Sequence, residues 1–537
     1  MTTAGHLIVK CLRAQGVERV FCVPGESYLD VLDGLVGSGI DVVNARHEGG
    51  AAMMAEADGK MTGRPGIAMV TRGPGATNAA SGVHVAAQDS TPMILFVGQI
   101  GRDMRGREAF QEVDYKALFG GMAKWVEEID RPERIPEILS HAWHIALSGR
   151  PGPVVIALPE DMLRETVVAK PGPKVIASEP APAPQDIARL RDLLGAAQKP
   201  FLILGGSRWS EAAKDGVTGF AERLGLPVGC TFRRQDLFAQ THPNYAGDIG
   251  LGANPKLIEA LKDADLLILL GGRFSEIPSQ GFTLLGMPEP GPKLVHIHPG
   301  AEELGRIYAP TLAINATPQR FLEASLTLAG TRKTETHDLH NSYLEWSETP
   351  AKGVGSVTMS HTIKVLRGTL PPDAIMTNGA GNYATWLHRY WRYGRGSQLS
   401  PTSGSMGYGL PAAISAALRY PDREIYCLAG DGCFQMTGME FGLAAERNLP
   451  VRVLVCDNSI YGTIRMHQER AYPGRVSATN LTNPDFAAWA RSYGAVGLSV
   501  EKDADFAATL SKARSHKGPA LIHLKLDARD IAPGRTL

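Results

Sequence analysis

The chain has 537 residues, with 55 Lys+Arg balancing 55 Asp+Glu, and 44% of it is hydrophobic. Zero net charge excludes nucleic-acid binding driven by bulk positive charge, and the apolar fraction excludes a disordered chain. At ~150 residues per domain the length suits three or four domains, and no apolar run approaches the ~20 residues that cross a bilayer.

The amino-terminal stretch Met1–His6 has neither the basic region nor the apolar run of a signal peptide. Six scattered cysteines form no C-x-x-C pair and no zinc-ligand spacing. The expectation is a cytoplasmic protein with no membrane or nucleic-acid partner.

Two compositional breaks divide the chain. The first is Pro-rich, Lys170–Pro184; the second is polar and aperiodic, Thr331–Ser342. They leave three blocks, read as domains 1–168, 186–330 and 354–537. In the first, Gly66–Thr71 reads as a buried strand that ends in the turn Arg72-Gly-Pro-Gly75 before a helix. In the second, Pro200–Gly205 and Leu266–Gly271 are short apolar runs of the same kind. In the third, Glu424–Ala429 and Val451–Cys456 read as strands with a helix between them. Thr437-Gly-Met-Glu440 has the capping-box pattern that opens such a helix, through about Arg447. This strand–helix alternation predicts an α/β protein with three doubly wound parallel-sheet domains.

The most informative pattern lies in the third block. One strand runs into Gly430-Asp431-Gly432, and the next ends at Asp457-Asn458. Successive parallel strands would bring Asp431 and Asn458 to one carboxyl edge, where open α/β sheets bind ligands. A carboxylate and an amide oxygen are hard donors that suit Mg²⁺, and the flanking glycines admit a phosphate close to the backbone. Gly-Asp-Gly alone is an ordinary turn; its spacing to Asn458 across strand, helix and strand is what points to a Mg²⁺–diphosphate clamp.

This pair resembles the diphosphate–Mg²⁺ motif of thiamine-diphosphate enzymes. Gly404-Ser-Met406-Gly-Tyr-Gly-Leu-Pro-Ala-Ala413 resembles their pyrimidine-side segment. Gly16–Glu26, Arg46-His-Glu48-Gly49, Thr71–Asn78, Asp89–Pro92 and Phe110-Gln111-Glu112 resemble the amino-terminal domain of the acetolactate synthase-like branch. The resemblance implies pyrimidine-binding, central and diphosphate-binding domains in that order. It implies that Glu48 hydrogen-bonds N1′ of the aminopyrimidine, that Met406 props the bent cofactor, and that the Gly404 carbonyl accepts from the 4′-amino group. The Ile460 carbonyl would complete the metal sphere of Asp431 and Asn458. Gly381 and Asn382, in the turn Asn378–Tyr383, would contact the diphosphate. Gln111 aligns with active-site-facing residues of the branch, as does Lys124. The cofactor would lie across a subunit boundary, so a homodimer is the minimum unit and a homotetramer is the common form.

Three positions depart from biosynthetic acetolactate synthases. Ile277 stands where they carry an arginine for the acceptor's carboxylate, and an apolar side chain makes no charge-assisted pair. His467 stands in place of a pocket tryptophan and is a candidate acid–base group. Arg72 replaces a serine and could bind a carboxylate or make a structural ion pair. FAD is a candidate second ligand, bound by some relatives in the central domain without redox use; Gly271-Gly272-Arg273-Phe274 and Leu294–Pro299 partly resemble that site, although the block has no G-x-G-x-x-G.

The implied reaction is decarboxylation of a 2-oxo acid to an enamine, then carboligation to a second carbonyl. The alternative is a decarboxylase that protonates the enamine and releases an aldehyde. A dehydrogenase would need the missing dinucleotide fingerprint, and a non-catalytic subunit is disfavoured because Glu48, Asp431 and Asn458 are all present.

Overall fold

The computed structural model describes residues 1–330 and 336–537. It contains three parallel six-stranded sheets with interleaved helices. The chain divides into two compact units: Met1–Ser178 with Pro401–Pro421 and Phe434–Leu449, and Glu179–Ser400 with Asp422–Cys433 and Pro450–Leu537.

The first unit holds one sheet, built from β1 (Arg19–Cys22), β2 (Asp41–Asn44), β3 (Gly66–Val70), β4 (Met93–Gln99), β5 (Trp125–Glu128) and β6 (Pro153–Pro159). Their order is β2-β1-β3-β4-β6-β5. Every residue of β3, β4 and β6 is buried, as expected for strands covered on both faces. Helix α1 (Glu48–Thr62) follows β2, and α2 (Pro74–Asp89) follows β3. α1 is buried from Gly49 to Gly59 and packs against α2 on one side. Against another side lies α3 (Gly409–Arg419), whose Arg419 donates to Asp58 through Nε and Nη2. The close α1–α2 approach needs Gly82, because a Cβ there would overlap Ala52.

The second unit holds the other two sheets. The central one contains β7 (Pro200–Leu204), β8 (Val228–Thr231), β9 (Tyr245–Ile249), β10 (Leu266–Leu270), β11 (Lys293–His298) and β12 (Leu312–Asn315), ordered β9-β8-β7-β10-β11-β12. The last contains β13 (Ile375–Asn378), β14 (Gln398–Leu399), β15 (Ile425–Gly430), β16 (Val451–Asp457), β17 (Val496–Val500) and β18 (Ala520–Lys525), ordered β14-β13-β15-β16-β18-β17.

Two sequence expectations need correction. Of the polar break at 331–342, residues 331–335 lie outside the described residues, but Thr336–Glu348 is a helix. Leu339 and Tyr343, four positions apart, pack against apolar cores, which is the periodicity the polar flanks conceal. The capping box at Thr437–Glu440 does not form: Gly438–Glu440 is a short 3-10 turn with no side-chain cap, and the helix begins at Phe441. Both side chains are engaged elsewhere. Thr437 donates to the Gly407 carbonyl at 2.6 Å, and Glu440 accepts from the backbone N–H groups of Arg46 and His47.

Candidate active site

The clamp is set by strand register. In the adjacent strands β15 and β16, Gly430 pairs with Cys456, so the chain delivers Asp431 and then Asp457-Asn458 to the same carboxyl edge. Asp431 is 3% exposed, and its Oδ1 accepts from the Gly432 N–H at 2.9 Å. Gly432 leaves no room for a side chain, since a Cβ would lie 2.5 Å from the Tyr461 ring. Asn458 is half-buried at the head of a turn that carries Ser459 at φ 56° into the buried Ile460. Among the described residues its Oδ1 accepts a long 3.4 Å contact from the Ile460 N–H.

Asn483 was not singled out by the sequence. It sits on a loop, and its Nδ2 donates to Asp431 Oδ2 and to Asp457 Oδ1, both at 2.7 Å. Its one signal is the Asn-Pro dipeptide, which marks a turn and nothing more specific. Asp457 in turn accepts from the fully buried His523 at 2.7 Å. Burial opposes ionisation of Asp457, yet the His523 and Asn483 hydrogen bonds outweigh it and hold the carboxyl low. Burial pushes the Asp431 carboxyl up to about 6, and the Asp457 charge adds to the rise. Asp431, which accepts from Asn483 and the Gly432 N–H, stands next to a second anion, an environment that a divalent cation would relieve; His523 and Lys525, the latter at 3.9 Å, lie against Asp457. The hard oxygens of Asp431 and Asn458 fit Mg²⁺.

The turn after β13 lies on the same sheet. Gly381 adopts φ 149°, and a Cβ there would press on the Tyr383 ring. Asn382 begins the helix Tyr383–Tyr390, and its Oδ1 accepts from the Thr463 hydroxyl at 2.9 Å. Gly379 is tied from two sides: its N–H donates to the Tyr383 hydroxyl and its carbonyl accepts from the buried Arg233.

Glu48 opens α1 in the first unit. Its Oε2 accepts from Asn78 Nδ2 on α2 at 2.9 Å, and a Cβ on Gly75 would lie 3.2 Å from its Oε1. The preceding residue, His47, caps the helix through Nδ1, which accepts from the Gly49 N–H at 3.0 Å. The Gly404–Met406 segment also belongs to this unit. Thr402 anchors it through hydrogen bonds of its N–H and hydroxyl to Asp89, and the Tyr408 hydroxyl donates to Glu56 on α1 at 2.6 Å. Glu56, Lys60 and Asp89 form a buried ionic cluster beneath it. Gly404 sits at φ 70°, and Met406 is half-buried.

The remaining predicted residues fall as follows. Gln111 sits at φ 66° on the loop lining a shallow depression of about 440 Å³. His467 is exposed on the helix Gly462–Ala471, with Arg470 2.9 Å from its Nδ1. Arg72 is buried and ion-paired to Glu160 at 2.8 Å and Glu26 at 3.0 Å, the structural alternative left open by its sequence. Lys124 donates to the carbonyls of Ile145 and Ser148 at the end of the helix Ile135–Leu147, which is a capping role. Ile277 is half-buried on a turn of the second unit.

Three family models match the chain in succession: the N-terminal thiamine pyrophosphate binding domain at residues 2–118, the central domain of these enzymes at 187–325, and their C-terminal thiamine pyrophosphate binding domain at 379–524. The chain belongs to the thiamine pyrophosphate enzymes. Within them it is similar to the acetolactate synthase isozyme 1 large subunit of Escherichia coli (strain K12), 32% identical over 98% of this chain and 94% of that one. The isozyme 2 large subunit of the same organism is 29% identical over 97% of this chain and 95% of its own. The acetolactate synthase large subunit of Corynebacterium glutamicum is 31% identical over 95% and 84%. It is an acetolactate synthase-like enzyme of that family.

Proposed function

We propose that this enzyme is a thiamine-diphosphate- and Mg²⁺-dependent carbon–carbon lyase and ligase. It decarboxylates a 2-oxo acid and joins the remaining acyl carbon to a second carbonyl. The observation that carries the reading is the buried Asp431 at one sheet edge with Asn458, oriented by Asn483. When bound, thiamine diphosphate supplies the nucleophilic carbon and the electron sink. Asp431, Asn458 and the Ile460 carbonyl would hold the metal, the backbone at Gly430 and Gly432, whose missing side chains make room for the Tyr383 and Tyr461 rings, would border the diphosphate, and Gly381 and Asn382 would contact it. The Gly404 carbonyl and Met406 orient the aminopyrimidine. Glu48 would hold a proton at its N1′ atom, a role that needs a site of low water access, which a subunit boundary over this half-buried side chain would supply. Gln111 and His467 are assigned to the substrate side.

The proposed domains are pyrimidine-binding 1–168, central 186–330 and diphosphate-binding 354–537. Glu48 of one protomer and the clamp of a second would serve one cofactor, in a homodimer or homotetramer. A cytoplasmic setting accords with six buried, free cysteines. Among the described residues no helix is long and apolar enough to cross a membrane.

Flavin stays a candidate second ligand that the proposed chemistry does not require, and a dinucleotide-type glycine cradle would not be its site. The two glycine loops at the β7 and β10 ends close on each other, so that a Cβ on Gly206 would overlap the Gly271 carbonyl. The Gly205 and Gly271 N–H groups are donated to Leu270 and Ile297, and Trp209 Nε1 donates to the Gly205 carbonyl. A pyrophosphate has no open glycine cradle there.

A second reading, release of an aldehyde, is favoured by one feature. Arg72 is held between Glu26 and Glu160, and Ile277 is apolar, so neither offers a cation to an acceptor carboxylate. Incubation with pyruvate, thiamine diphosphate and Mg²⁺ separates the two. The expected product is acetolactate or another acyloin; acetaldehyde alone would favour the second reading, and no CO₂ from any of a panel of 2-oxo acids would contradict both.

A further inference from the structure

We propose that Glu440 is a positioning residue for Glu48, which rests on the role assigned to Glu48 above. Glu440 is fully buried. Its Oε1 accepts from the Arg46 N–H at 3.1 Å and the His47 N–H at 3.0 Å, and its Oε2 also lies 3.1 Å from the Arg46 nitrogen. These are the two peptide groups that lead into Glu48. No salt bridge reaches Glu440 among the described residues. The Arg46 guanidinium turns away, to the Asn44 carbonyl and Glu446.

A buried carboxylate with no direct ion pair is costly, and burial pushes this one up to about 7 against the two amide donors and the more distant Arg46 charge. An apolar side chain would avoid that cost but orphan two peptide N–H groups at the entry to α1. The contact is also shaped from the helix side: a Cβ on Gly50 would overlap the Glu440 carboxylate. Glu440, Gly50 and the His47 cap therefore fix the direction in which the chain enters α1. That direction determines where the Glu48 carboxylate stands, on a helix whose later turns are already locked by Asp58, Glu56 and Lys60. The arrangement is a supporting shell around a site that requires sub-ångström placement.

The test compares E440L, E440Q, G50A and E48Q in the full-length protein. In the apo form, deuterium uptake across residues 45–50 reads the anchoring directly. In the holoenzyme with Mg²⁺, the readouts are cofactor Kd and the rate at which the cofactor's C2 proton exchanges with D₂O. E440L is expected to raise uptake at 45–50 and slow C2 exchange at least ~10-fold with Kd changed less than about threefold. E440Q keeps one acceptor oxygen and is expected to restore most of the rate. G50A adds a favourable helix residue, and its Cβ meets the far end of the flexible Glu440 side chain, so the fold is expected to survive while the displaced carboxylate slows exchange severalfold. Wild-type C2 exchange in E440L or G50A, or a loss no larger than the loss of cofactor binding, would overturn the proposal. Should E440L not fold, G50A decides it. If E48Q itself leaves C2 exchange unchanged, the assignment of Glu48 falls and this inference with it; if E48Q slows exchange and G50A does not, this inference alone falls.

Discussion

Glu48→Gln is expected to lower kcat by ~10²–10⁴-fold, the range removed with a positioned acid–base group. The substitution preserves shape and one acceptor oxygen, so the hydrogen bond from Asn78 survives and the helix start is unchanged. What disappears is the ability to hold a proton at the aminopyrimidine. The diphosphate clamp lies on a different sheet and is untouched, so the cofactor Kd should move far less than kcat. Steady-state turnover together with a cofactor titration checks both halves. Equal losses in binding and turnover would show that Glu48 binds rather than activates.

Asp431→Ala should have the largest effect on binding. It removes the only carboxylate of the proposed metal sphere, and Mg²⁺ holds few protein ligands to begin with. We expect Mg²⁺ affinity to fall by more than the roughly 10–100-fold that outer-shell changes cause, with no turnover at physiological Mg²⁺. Asn483→Ala gives the comparison, because it leaves the carboxylate but frees its orientation, and should fall within that smaller range. Stability should not follow the same order. Burial holds the Asp431 carboxyl up to about 6, so its charge is a burden on the apo fold, and the melting temperature of Asp431→Ala without metal should equal or exceed that of the wild type. Titration calorimetry with Mg²⁺ and thiamine diphosphate, beside thermal melts of the apo proteins, measures each effect.

The sheets were legible because their strands are short, unbroken apolar runs punctuated by glycine. Leu266–Leu270 and Val451–Asp457 are buried throughout, which a parallel sheet covered on both faces requires. The metal edge was legible for the same reason: each strand end announces where its next polar residue must stand. The partners of those residues were not legible. Asn483 meets Asp431 from a loop 52 positions away, with no periodicity to mark it. Glu440 fitted a local capping pattern, but the N–H groups it accepts from are nearly 400 positions upstream, and pairing the buried carboxylate with those donors outweighed the local cap. Arg72 illustrates the same limit. Its chemistry allowed a carboxylate ligand, and two glutamates from distant segments took that place. Local signals set elements and edges; long-range polar satisfaction decides which side chains remain available.

The claim on which the rest depends is that Glu48 and the Asp431 clamp act on one cofactor from two protomers. Mixing Glu48→Gln with Asp431→Ala, after dissociation and reassembly, tests it directly. Each hybrid dimer would contain one site with both residues intact and one with neither. Random pairing of two inactive proteins should therefore restore about a quarter of wild-type activity. No recovery, in mixtures shown by native mass spectrometry to contain the hybrid, would contradict the account.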